Sequence, residues 1–221
     1  MEPVLILFKR FNDLALANAL TAVLDEHRIE YTIEEIGTSF DPAFRRNELL
    51  SEFSVKIKAE DFETVNQLLK DSEIENINNA DHDHYLYGFT DEELMDILAK
   101  ADEWSAFDYL LARKILTERR VTINEKMLTD LKADRLEELK APEPSQKTWI
   151  IVGYLFALAG GILGIFIGWH LATYKKTLPD GERVYGYNEN DRQQGKWIFY
   201  IAIAIFVISI IYKIAPVFTE N

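Results

Sequence analysis

The stretch Trp149–Thr173, WIIVGYLFALAGGILGIFIGWHLAT, runs for 25 residues without an Asp, Glu, Lys or Arg. A bilayer's hydrocarbon core takes about 20 apolar helical residues, so the stretch predicts one membrane-crossing helix over about 149–173. A second apolar segment, Trp197–Ile214 (WIFYIAIAIFVISIIYKI), carries a charge only at Lys213, close to its end. Trp149, Trp169, Tyr174, Trp197 and Tyr212 stand at the segment ends, where an aromatic belt belongs. The expectation is a transmembrane hairpin over 148–221, with its helices at about 149–173 and 197–214. Small residues recur every fourth position in the first segment. Gly153, Ala157 and Gly161 make one row; Gly160, Gly164 and Gly168 make another. Such rows let helices approach closely in lipid. They serve either the partner helix of the same hairpin or association with a second protein.

Between the two segments, Pro179-Asp180-Gly181 is a turn signal, and its flanks Lys176–Leu178 and Arg183–Tyr185 predict a small β-hairpin. Asn188 followed by Asp191 marks a helix start, so the second apolar helix begins ahead of its apolar run. His170, a lone polar residue near a helix end, reads as interfacial. The positive-inside count is tied: Lys175, Lys176, Arg183, Arg192 and Lys196 lie between the segments, and Lys132, Arg135, Lys140, Lys147 and Lys213 flank them. Residues 1–20 lack the basic, apolar and small-residue succession of a secretory signal. That predicts a cytoplasmic N-terminal region and, with two crossings, both termini in the cytoplasm.

Charge is distributed unevenly. Residues 1–148 hold 18 Lys+Arg and 32 Asp+Glu; residues 149–221 hold 6 and 5, giving the net −13 of the 221-residue chain. So acidic a chain lacks the clustered cations that drive nucleic-acid binding. It has no cysteine, which excludes disulfides, thiolate nucleophiles and Cys-type zinc sites.

The N-terminal 1–80 region alternates strand and helix signals. VLILF within Pro3–Lys9 suits a buried strand. Asn12 or Asp13 can cap a helix carrying Leu16, Leu20, Val23, Leu24 and His27. Ile29, Tyr31 and Ile33 alternate with polar residues, as do Phe53, Val55 and Ile57, predicting two strands. Phe62, Val65, Leu68 and Leu69 give a second helix, and Glu73–Ile77 a weak last strand. The order is βαββαβ, the ferredoxin-like split βαβ arrangement. Through VLILFKRFNDLALANALTAVLDEHRIEY and FSVKIKAEDFETVNQLL, residues 3–77 resemble a family of bacterial domains described as putative prokaryotic signal-transducing proteins. The resemblance implies a ferredoxin-like fold related to the PII nitrogen-regulatory proteins, and a regulatory role. In such proteins the join between the second and third strands carries the signalling loop. Here that join, GTSFDPAFRRNELLSE (37–52), holds Phe40, Phe44, Arg45 and Arg46, a place for an anionic ligand or a partner, or a solvated loop. No glycine-rich phosphate cradle is present.

Residues 90–140 carry three cap signals: Thr90 before Glu93, Ser105 before Asp108, and Thr122 before Glu125. Each opens an apolar stripe, so three short helices are expected, the last grading into a solvated, charged end. Ala141-Pro142-Glu143-Pro144 predicts a stiff linker over 141–147. The acidic clusters Asp91–Glu93 and Asp102-Glu103 match the charge preference of helix starts. His82 and His84, in Asp81-His82-Asp83-His84, could share a metal only if further ligands converge. No catalytic constellation or cofactor motif emerges. The sequence thus predicts an α+β protein at the bacterial inner membrane. It would act as a regulatory or protein-interaction module, or as an accessory subunit of a membrane transport or assembly complex. Its expected contacts are the lipid bilayer and a protein partner or second copy at the hairpin.

Overall fold

The computed structural model describes residues 4–36, 52–159 and 161–219. The fold is α+β and divides into two compact units. One comprises Met1–Leu139 with Thr177–Glu182; the other comprises Lys140–Lys176 with Arg183–Asn221.

The first unit opens with β1 (Leu5–Phe11), α1 (Leu14–Glu26), β2 (Tyr31–Ile36), β3 (Glu52–Lys58) and α2 (Phe62–Asn78). The sheet order is β1-β3-β2, with β3 antiparallel to both neighbours. Asp13 caps α1 by accepting from the Ala15 N–H at 2.8 Å, which satisfies one of the helix's open donors. α1 turns Ala17, Leu20, Thr21 and Leu24 inward and leaves Leu16 exposed, so its buried stripe sits one residue along from the expected one. Ile6, Val55 and Ile57 from the strands meet that stripe and Phe62 and Val65 of α2. The opposite face of the sheet is polar, with Lys58 paired to Glu30 at 2.9 Å.

The expected last strand, Glu73–Ile77, is instead the end of α2. No Gly or Pro interrupts 62–78, and helical spacing carries Phe62 and Val65 into the first core and Ile77 into a second. The sixth element of the βαββαβ order is thus replaced by two extra helical turns. α2 then joins the sheet region to a helical core built by α3 (Asp91–Ala99), α4 (Ala106–Glu118) and α5 (Glu125–Lys140). Thr90 and Glu93 form the capping box at α3, and Ser105 caps α4. At α5 the cap is Asn124, accepting from the Met127 N–H at 2.8 Å, rather than Thr122. Nor is the end of α5 merely solvated. Arg135, 12% exposed, pairs with Asp102, Glu103 and Glu138. Thr177–Glu182 closes this unit. The Asn66 side chain donates to Pro179 O at 3.2 Å. Gly181, at φ +86, lies so near Ala59 that a Cβ would sit 2.6 Å from its carbonyl oxygen.

In the second unit, 149–173 is not one helix. It forms α6 (Lys147–Leu158) and α7 (Ile162–Thr173). Gly161 between them has φ +90, a conformation that L side chains avoid and that reverses the chain. The strands β4 (Lys175–Thr177) and β5 (Arg183–Tyr185) form the expected hairpin, and α8 (Glu189–Thr219) follows. As expected from Asn188, its side chain accepts from the Asp191 N–H at 2.9 Å. Among the described residues, Glu189–Tyr212 is the one stretch long and apolar enough to cross a membrane. The expected pair of transmembrane helices is therefore corrected to one such helix and two 12-residue helices. At 1.5 Å per residue each of these reaches about 18 Å, short of a roughly 30 Å core.

Candidate functional site

The second unit is built around glycines that bring backbones together. A Cβ on Gly153 would lie 2.9 Å from Ile198 Cδ1, and one on Gly161 would lie 2.5 Å from Ala202 O. Asp191, near the start of α8, meets Ser145 and Gln146 just ahead of α6. α6 therefore runs parallel to α8. On α7, a Cβ on Gly168 would lie 2.5 Å from Phe199 N and 2.7 Å from Gly195 O, so α7 runs back antiparallel. A Cβ on Gly164 would lie 2.6 Å from Ala157 Cα, which seals α7 onto α6. The small-residue rows are thus filled within the chain: Gly153, Ala157, Gly161, Gly164 and Gly168 face neighbouring helices of their own unit. Gly160 lies outside the described residues. Of the two roles expected for these rows, the packing within the chain is the one seen here.

This path moves the aromatic residues. Trp149 and Trp169, expected at opposite ends of one crossing, fall at the same end. Trp169 follows Gly168, which touches α8 between Gly195 and Phe199; Trp197 lies in that interval. Trp149 is one turn before Gly153, which lies against Ile198. All three tryptophans are more than half exposed and stand within about one helical turn of a common level. Beyond them the exterior is apolar, with Ile151, Leu155, Leu158, Ile162, Phe166 and Ile208 each at least half exposed. Tyr212 stands 81% exposed toward the far end of α8.

The near end is polar and tied together. Asp191, fully buried, accepts from the Ser145 hydroxyl at 3.0 Å and the Gln146 N–H at 2.7 Å. The Glu143 N–H donates to Gly186 O at 2.8 Å, and Lys176 Nζ donates to Ala141 O at 2.7 Å. The stretch expected as a stiff linker is a strap held by side chains and by the loop. His170 faces the Tyr187 hydroxyl at 3.2 Å and lies against the Tyr174 ring. Burial, with Glu143 and Tyr174 nearby, pushes the Tyr187 hydroxyl above its ordinary pKa. Tyr185 carries two cations: Arg192 at 3.3 Å and Lys175 at 4.8 Å from the ring centre.

The first unit has a groove of about 590 Å³ along α2, α4 and α5. Leu98, Leu110, Leu128 and Leu136 supply apolar walls, and Lys70, Arg113 and Lys132 supply cations. Lys70 Nζ stands over the Tyr109 ring at 4.4 Å. Burial, with Lys132 and Arg113 close by, lowers its pKa. Sequence reasoning missed this groove and the Asp191 strap, because both depend on residues far apart in the chain. Of the predicted sites, Phe40, Phe44, Arg45 and Arg46 lie outside the described residues. His82 lies against Tyr87, and His84 accepts from the Leu86 N–H at a short helical turn. Among the described residues no three metal-ligating side chains come together.

Comparison with protein-family models, with curated proteins and with solved structures found no match.

Proposed function

We propose that the chain is a membrane-anchored regulatory or protein-interaction module. α8 crosses the bilayer, and the α6–α7 hairpin dips into the leaflet on the side of the tryptophans without crossing. The observation that carries the anchor is the level ring of three exposed tryptophans above an apolar exterior on helices of unequal length. An aromatic belt at the lipid–water boundary has this form. From Trp169 to Gly161 the hairpin descends about 12 Å, less than half a hydrocarbon core.

On this reading the charge tie breaks. Lys140, Lys147, Lys175, Lys176, Arg183, Arg192 and Lys196 all come to the near end, and only Lys213 lies beyond the apolar stretch. The positive-inside rule then puts the near end, and the first unit that leads into it, in the cytoplasm. The end of α8 lies on the other side. This replaces the multi-pass arrangement with both termini cytoplasmic.

The groove over Lys70 and Tyr109 supports the binding role, since apolar walls with a few placed charges suit a ligand or peptide. The resemblance of residues 3–77 to signal-transducing domains points the same way. A photo-crosslinker at Gln67, in the groove, tests it in native membranes. A discrete protein adduct is expected there, with none from a crosslinker at Glu26. Equal labelling at both positions would overturn the binding role.

A further inference from the structure

On α8 a groove of about 330 Å³ is lined by Glu189, Arg192, Gln193, Lys196, Trp197 and Tyr200. Arg192, Lys196 and Tyr200 are four residues apart and share one helix face, with Trp197 beside them. Among the described residues neither cation pairs with a carboxylate. Arg192 Nε is buried without a hydrogen-bond partner, and its guanidinium is seated on the Tyr185 ring 3.3 Å away. That ring also bears Lys175. Arg192 and Lys196 therefore line the groove with Lys175 close to Arg192 across the Tyr185 ring, and Glu189 is the carboxylate of the lining.

The order along the helix is charge, then amphipathic ring, then apolar surface. Arg192 and Lys196 stand just above the tryptophan level, Trp197 on it, and Tyr200 one turn below. A phospholipid repeats that order as phosphate, ester region and acyl chain, and basic pockets on this side of a membrane bind lipid headgroups. We infer that this groove is a binding site for the headgroup of an anionic phospholipid of the near leaflet. Arg192 and Lys196 hold the phosphate, and Trp197 and Tyr200 flank the glycerol and upper acyl chain. The inference rests on the membrane-anchor reading.

Native mass spectrometry tests it on the full-length chain released from nanodiscs of equal phosphatidylglycerol and phosphatidylcholine. Each basic residue near an anionic surface is worth about fivefold, so the pair should favour retained phosphatidylglycerol on the order of twentyfold. Arg192→Gln with Lys196→Gln should bring the ratio close to one, while Lys126→Gln, on the first unit, should leave it unchanged. Excess inorganic phosphate should not displace the lipid. An even ratio for the native chain, a preference that survives the double substitution, or displacement by phosphate alone would overturn the proposal. Carbonate washing of membranes separates the two readings. If native chain and double variant both stay in the pellet, a lost preference bears on the lipid site only. Release of the native chain would remove the anchor and this site with it.

Discussion

The carboxylate of Asp191 accepts the backbone N–H of Gln146 at 2.7 Å, clasping the entry of one short apolar helix to the start of the long one. The same group takes the Ser145 hydroxyl at 3.0 Å and is fully buried. Replacing Asp191 by Ala removes two hydrogen bonds to a charged acceptor, at a cost of about 1.5–3 kcal/mol. The thermal midpoint of the detergent-solubilised chain should fall. Asp191→Asn, which keeps an acceptor, should fall less. Equal midpoints for Ala and native would show that the clasp contributes nothing.

Gly168 sets the spacing of α7 and α8, since a Cβ there would lie 2.5 Å from Phe199 N. Gly168→Leu must push two backbones apart and should lower stability in detergent by at least the roughly 1–2 kcal/mol of an interhelical contact. Phe166 is 63% exposed, so Phe166→Leu should be silent. Matching behaviour of the two variants would contradict the antiparallel packing.

In the first unit Arg135 joins α5 to Asp102 at 2.9 Å, with both side chains largely buried. Arg135→Ala should cost about 1.5–3 kcal/mol, as expected for hydrogen bonds to charged groups. The exposed pair Lys126–Asp130 belongs to the class worth at most about 1 kcal/mol, and Lys126→Ala should be near neutral. Denaturant titration followed by near-ultraviolet circular dichroism, to which Trp104 contributes, compares them directly.

Local signals were legible where one short stretch decides the outcome. The caps at Asp13, Thr90 and Ser105, the turn at Pro179–Gly181 and the helix start at Asn188 could all be read from the sequence, because each depends on neighbours within a few residues. The break in 149–173 was not. Gly160-Gly161 is compatible with a straight lipid-facing helix and equally with a reversal, and what selects the reversal is packing on α8, some 40 residues away. The same applies to Glu73–Ile77, where burial of Ile77 against α4 outweighs a strand-like pattern. The clustering of Arg192, Lys175 and Tyr185 was hidden because each comes from a different element.

The central claim is that the chain enters and leaves the membrane on one side between Trp149 and Thr173. Because the native chain has no cysteine, single cysteines report cleanly. Asp180→Cys and Thr219→Cys are exposed in intact cells to a membrane-impermeant maleimide. The account predicts labelling at position 219 and protection at 180 until the cells are opened. Labelling at 180 with protection at 219, while Glu26→Cys in the first unit stays protected, would mean that 149–173 crosses the membrane, and would contradict it.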